Sequence, residues 1–358
     1  MTTLFDPLRV GEIELDNRIV MAPMTRSRAS DDGVQPAYAA EYYRQRASAG
    51  LIITEATNVS PMARGYVRTP GIYTPEQIES WRPVAEAVHA CGGRIFMQLF
   101  HTGRIALPDF LPGGARPVAP SAVRAKGQNY TDAGMKEFVT PREITLEEIA
   151  ETVGDFAAAA RNAVAAGFDG VELHAASGYL VQQFLTTNVN LRTDEYGGSI
   201  ENRARFLFEV LDAMASEVGA RRVGVKFSPQ IAFNDIEERD ADEVYPYILE
   251  RLSDRQVAYV HVSDGAGAGW HSRLRPHYKG VYFAGAGFTR ESGAELLAGG
   301  GADAIVYGVK FLANPDLTEK FRRDARLNEA DQSTFYTPGE RGYTDYPTLG
   351  QTLDASTA

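Results

Sequence analysis

Gly170-Val-Glu-Leu-His174-Ala-Ala-Ser177-Gly-Tyr179-Leu180 is the stretch that decides the fold. A short apolar run stops at a histidine, and a serine and a tyrosine follow within five residues. A strand that carries polar groups at its C-terminal end is what a (β/α)8 barrel requires of its active face. Alternation along that strand gives Glu172 and His174 the same inward parity, two residues apart.

Reading outward, seven more short apolar runs repeat the pattern. The eight strand candidates are residues 18–21, 51–54, 95–99, 170–173, 223–227, 259–262, 281–284 and 304–307. Helical periods lie between most of them. The clearest covers 201–218, where Leu207, Val210, Leu211, Met214 and Val218 share one face, with Ser199 as N-cap. Residues 145–166 and 293–298 form further helical stretches closed by glycine. Alternating strand and helix with near-continuous apolar strands indicates an α/β fold, a (β/α)8 TIM barrel. Residues 8–15 alternate as an N-terminal hairpin and are expected to plug the barrel's bottom. Residues 101–142 are too long for an ordinary βα loop and are expected to form a capping excursion after strand 3. Residues 329–358 are expected to pack over the barrel as an irregular tail, within one domain spanning 1–358.

Composition narrows the function. The net charge of −11 argues against nucleic acid and anionic membrane as partners. No apolar run approaches about 18 residues, so no membrane span is expected, and the start lacks a leader pattern, so a cytoplasmic protein is expected. The single cysteine, Cys91, excludes an intrachain disulfide and a cysteine metal cluster. It falls at a helix end and is expected to be a buried small hydrophobe; no metal site is expected.

Polar residues gather at the strand ends: Thr25, Glu55, Gln98, His174 and Lys226. The glycine turn Ala284-Gly-Ala-Gly-Phe288 follows strand 7, and Gly308 follows strand 8. Backbone amides in those two turns commonly bind phosphate in barrels. The set describes a site for a flat, polar-edged, phosphorylated cofactor. Glu55 and Glu172 could instead form a glycosidase pair, but Glu172 points into the barrel and reads as a buried structural partner.

These residues carry a family likeness. Asn17-Arg-Ile-Val-Met-Ala-Pro-Met-Thr-Arg26, Gln98-Leu-Phe-His-Thr-Gly-Arg104, the His174 stretch, Arg192-Thr-Asp-Glu-Tyr-Gly-Gly-Ser-Ile-Glu-Asn-Arg203 and Ala313-Asn-Pro-Asp-Leu317 resemble the Old Yellow Enzyme family of FMN-dependent ene-reductases. The likeness runs from Leu4 to Pro347. It implies FMN as cofactor, NADPH or NADH as hydride donor, and a small α,β-unsaturated carbonyl substrate, in a monomer or homodimer. It implies that Pro23, Met24 and Thr25 line the flavin, that Ala56 and Gln98 meet its polar edge, and that Lys226 lies beside N1. Ala286, Gly287, Gly308 and Val309 would surround the phosphate. His174 and Ser177 would clamp the substrate carbonyl, Tyr179 would give a proton to the substrate carbon, and Tyr66, Phe100 and Tyr336 would shape the pocket.

Four positions depart from the family pattern. Ser177 stands where Asn or His is usual, Lys226 where arginine is usual, Val309 at the position of a phosphate-binding arginine, and Phe100 at that of a common tryptophan. Lys310 is adjacent to Val309 but would point away from the phosphate if the segment were extended. Two alternatives follow from these departures: a flavoenzyme specialised for one bulky metabolite, or a degenerate barrel that has lost FMN.

Overall fold

A computed structural model describes residues 2–265 and 267–351. The last seven residues of the expected tail, 352–358, lie outside the described residues.

Eight parallel strands form the barrel: β1 (Ile19–Met21), β2 (Leu51–Ile53), β3 (Ile95–Phe100), β4 (Gly170–His174), β5 (Val223–Phe227), β6 (Tyr259–Ser263), β7 (Tyr282–Gly285) and β8 (Ala304–Tyr307). Each pairs with the next, β8 returns to β1, and β3 pairs with β4, so the sheet closes. Closure removes the free edges that an open sheet would expose.

Two apolar layers hold this ring. Outward-facing side chains such as Val171, Leu173 and Val225 pack against helices that include Leu146–Ala165 and Ile200–Val218. Thr145 caps the first of these in a capping box with Glu148, and Ser199 caps the second through Asn202 N–H. Inward-facing Val20, Leu51, Phe96, Tyr259 and Phe283 fill the lower barrel, joined by Val10 and Leu15 of the hairpin Leu8–Val10/Ile13–Leu15. That hairpin is the plug its alternation predicts.

Residues 101–142 leave the barrel after β3 through short 3-10 turns and return through the hairpin Gln128–Thr131/Gly134–Glu137. The C-terminal segment runs back over the active face with one short 3-10 turn, Gln332–Thr334. Two buried arginines after β1 pin it there. Arg26 Nη2 donates to Gly342 O (2.8 Å), and Arg28 donates to Thr334 O (3.0 Å), Gly339 O (2.9 Å) and Arg341 O (2.9 Å). Tyr343 stacks on Tyr42 at 3.9 Å beneath them.

Two expectations need correction. Cys91 is exposed, not buried: the helix Pro75–His89 stops at Ala90, and the turn that follows carries the thiol to the surface. Val309–Ala313 is a short helix, not an extended segment, so the alternation that turned Lys310 away from the phosphate site does not apply.

The lower barrel is filled so closely that β5 needs a glycine opposite Tyr259. A Cβ on Gly224 would sit 2.3 Å from the Tyr259 ring. Gly224→Ala should therefore destabilise the fold by about 1–3 kcal/mol, read as a lower urea midpoint at constant slope. A midpoint equal to wild type would show slack in that layer.

Candidate active site

The inward parity that fills the lower barrel with apolar groups places polar ones above them. Gln98 and Glu172 are register partners across β3 and β4; His174, Lys226 and His261 are partners across β4, β5 and β6. The Glu172 carboxylate is fully buried. It accepts from Gln98 Nε2 at 2.7 Å and meets His261 Nδ1 at 3.1 Å. Glu172 is thus the structural partner its parity indicates. Glu55 is likewise committed, to Gln35 Nε2 (2.9 Å) and Arg26 N–H (3.2 Å), so the two carboxylates form no glycosidase pair.

His174 ends β4. Its Nδ1 is buried and has no hydrogen-bond partner among the described residues. Burial first, then the neighbouring Lys226 and His261, hold its imidazole well below the usual histidine range. The ring is therefore neutral near pH 7 and carries one N–H donor. Tyr179 stands edge-on to it at 4.9 Å, and burial holds its phenol well above the usual range. Phe100 lies behind both rings, 5.4 Å from Tyr179 and 6.2 Å from His174. It is fully buried and supports the pair from behind; it is not among the residues lining the cavity in front of them.

Ser177 occupies a left-handed backbone position, φ 59°. Ser228 Oγ accepts its N–H at 2.8 Å, and Asn234 Nδ2 donates to its carbonyl at 2.7 Å. Its hydroxyl has no partner among the described residues.

Two cavities open on this face. One, about 280 Å³, is walled by Thr25, Tyr66, Tyr179 and Tyr336, with Tyr130 and Phe233 half-exposed at its rim. The other, about 390 Å³, runs over Lys226 and His261 to Ala286, Gly287, Gly308 and Lys310. Ala286 and Gly287 both have positive φ, 80° and 78°. Successive residues in such a conformation turn their amides toward a common anion. Lys226 is lowered by burial, opposed by Glu172, and forms no ion pair among the described residues. Pro23 and Met24 are partly buried between the two cavities' walls, with Met24 Sδ 3.6 Å from where a Gly308 Cβ would be. Ala56 is buried in the apolar cluster around Tyr179 and Phe100. Val309 is 52 % exposed and brings no charge.

The donor set fits a flavin mononucleotide: a phosphate cradle with cations nearby, and a buried imidazole nitrogen left for a ligand. Sequence reasoning missed Asn129, Tyr130 and Phe233 in the substrate-side wall. They come from the excursion and the loop after β5, where no periodicity marks a residue as inward. His261 was missed too, although its register with Lys226 follows from strand alternation.

Comparison with known proteins shows which family the chain as a whole resembles. The family model described as the NADH:flavin oxidoreductase / NADH oxidase family matches residues 3–328. The chain is 45 % identical to 12-oxophytodienoate reductase 1 of Oryza sativa subsp. japonica, over 97 % of this chain and 93 % of that protein. It is 46 % identical to a protein of Leishmania infantum named "Probable flavin mononucleotide-dependent alkene reductase", over 96 % and 97 %. Among solved structures, morphinone reductase superposes with a TM-score of 0.94 at 45 % identity, covering 98 % of this chain and 97 % of that one. The old yellow enzyme homologue from Zymomonas mobilis gives 0.95 at 40 %, covering 97 % and 100 %.

Two outcomes follow. Val309→Arg should tighten FMN binding by roughly tenfold to a hundredfold, the worth of one charge-assisted hydrogen bond, in a fluorescence titration of apoprotein; unchanged affinity would contradict the cradle's placement. Because burial, then Lys226 and His261, hold the His174 imidazole well below the usual histidine range, affinity for a carbonyl ligand should stay flat from about pH 6.5 to 8.5. A fall in affinity between those values would show that His174 titrates there.

Proposed function

The chain belongs to the NADH:flavin oxidoreductase / NADH oxidase family, as an FMN-dependent oxidoreductase of the Old Yellow Enzyme kind, and from that premise we propose that it reduces the activated C=C of an α,β-unsaturated carbonyl compound. The observation that carries this reading is the His174–Tyr179 pair: an unpartnered buried imidazole nitrogen beside a buried phenol, next to an apolar-walled cavity.

FMN, held by the cradle at Ala286, Gly287 and Gly308, would supply hydride chemistry when bound, with NADPH or NADH as the source. The protein's part is to place the substrate and manage charge. His174 donates a hydrogen bond to the carbonyl oxygen, where negative charge develops; one such fixed donor is worth roughly 10²–10³ in rate. Tyr179 then gives its phenolic proton to the α-carbon. As a neutral acid at pH 7 it is fully loaded, and its burial keeps it so. Lys226 would place a positive charge beside the bound cofactor, and Glu172 fixes the Gln98 side chain by accepting from its amide nitrogen. Ala286, Gly287 and Gly308 offer backbone amides to the phosphate. Thr25, Met24, Pro23 and Ala56 line the cofactor, and residues 101–142 cap the site within a single domain.

A second reading, specialisation for a bulky substrate, is favoured by the Ser177 hydroxyl and by the aromatic rim of Tyr130, Phe233 and Tyr336. Both readings share the same chemistry; they differ in how well a small enone is held.

Tyr179→Phe should cut alkene turnover by about 10²–10⁴ while NAD(P)H still reduces the bound flavin; enone reduction at the wild-type rate would refute the proton-donor role. Ser177→Asn places a second donor at a left-handed position that Asn tolerates well. It should raise 2-cyclohexenone turnover by about tenfold, one net hydrogen bond. No gain would count against a weakened clamp.

A further inference from the structure

We propose that Tyr66 is the positioning residue that lets Tyr179 act as an acid, by accepting its resting hydrogen bond and then stabilising the phenolate that remains after proton transfer. This rests on the reading of Tyr179 as proton donor.

The argument starts from a cost. When Tyr179 protonates the substrate carbon, a negative charge is left on an oxygen whose side chain is 8 % exposed. Its neighbours Ala56, Phe100, Ile105 and Leu107 are apolar and offer that charge nothing. Burial first, and then Tyr66 as acceptor of its resting hydrogen bond, raise the Tyr179 phenol, so it is a weak acid until Tyr66 turns its own hydrogen toward it. Among the described residues, the sole hydrogen-bond partner of the Tyr179 hydroxyl is the Tyr66 hydroxyl, at 3.0 Å. The two rings meet edge to face at 6.2 Å. Burial raises the Tyr66 phenol as well, opposed by the Tyr179 hydroxyl and then by the Asn234 side chain, and Asn234 is anchored by its 2.7 Å bond to the Ser177 carbonyl. The two phenols therefore form one hydrogen-bonded unit in the cavity wall.

A hydroxyl hydrogen is free to rotate, so either phenol can donate to the other. At rest Tyr179 donates to Tyr66. In the transfer, the Tyr179 O–H bond breaks, its electron pair stays on the phenolic oxygen, and the substrate's carbanion pair forms the new C–H bond. Tyr66 then turns its hydrogen toward the phenolate. It passes that proton on and takes one from a solvent water at the cavity it lines, which leaves as hydroxide carrying the negative charge. Proton and charge balance, and no oxidant is needed beyond the alkene itself. A Tyr66 that only bounded the pocket would affect how tightly the enone binds, not how fast the bound enone is protonated.

The test uses FMN-loaded Tyr66→Phe and Tyr179→Phe proteins, first reduced with NADPH. Each is reoxidised by saturating 2-cyclohexenone and, separately, by ferricyanide, which takes up no proton. The expected result for Tyr66→Phe is a fall of roughly tenfold to a hundredfold in the saturating alkene rate relative to the ferricyanide rate of the same protein, the worth of one hydrogen bond to a charge. A higher KM with an unchanged saturating rate would make Tyr66 a pocket wall only and overturn the proposal. An equal fall with both oxidants would mean general damage and overturn it as well. If Tyr179→Phe itself reduces the enone at the wild-type rate, the underlying assignment of Tyr179 fails and takes this one with it. That result is distinct from the case in which Tyr179→Phe is slow and Tyr66→Phe is not.

Discussion

Strand parity in a closed parallel barrel is the constraint on which the rest of this site depends. Every second side chain must enter the interior. In the lower half those positions are Val20, Leu51, Phe96, Tyr259 and Phe283, and they pack. One step higher the same parity brings in Lys226, which forms no ion pair among the described residues, and Gln98, Glu172 and His261, which cannot pack as hydrophobes and are satisfied by one another. Glu172 does this for Gln98 and His261 at once. His174 is the next inward position, and its Nδ1 is left over. The site is thus the place where the barrel's interior changes from self-satisfied to ligand-satisfied.

The loops complete what the strands begin, and they do so through distant backbone contacts. Arg26 and Arg28 bind five carbonyls of the chain's last described segment or its immediate support. That clamp holds Tyr336 at the wall opposite Tyr179. The excursion supplies Asn129 and Tyr130, with Asn129 Nδ2 tied to Gly65 O at 2.6 Å, close to Tyr66. The cavity beside Tyr179 is therefore assembled from six separate parts of the chain, represented by Thr25, Tyr66, Tyr130, Tyr179, Phe233 and Tyr336.

Much of this was legible from residue order. All eight strands were visible as apolar runs, and Ser199 marked a helix start because its hydroxyl has a free N–H to accept there. The inward setting of Glu172 followed from its spacing to His174. What could not be read depended on turns and long-range contacts. The five-residue helix Val309–Ala313 is too short to show a period, so Lys310 seemed to face away from a cavity that it lines. Phe100 is a pocket residue only by the family resemblance, and in the structure it packs against His174 and Tyr179, which stand between it and the cavity. The Tyr66–Tyr179 hydrogen bond joins residues 113 apart and leaves no local trace.

The central claim is that strand β4 ends in a carbonyl anchor and a proton donor serving one alkene. Reduction of 2-methyl-2-cyclohexenone in D2O with unlabelled NADPH, followed by NMR of the product, tests it most directly. The account predicts one deuterium on the α-carbon, from an exchangeable donor, and ordinary hydrogen delivered to the β-carbon. Deuterium at the β-carbon, or flavin oxidation with the alkene left intact, would contradict it.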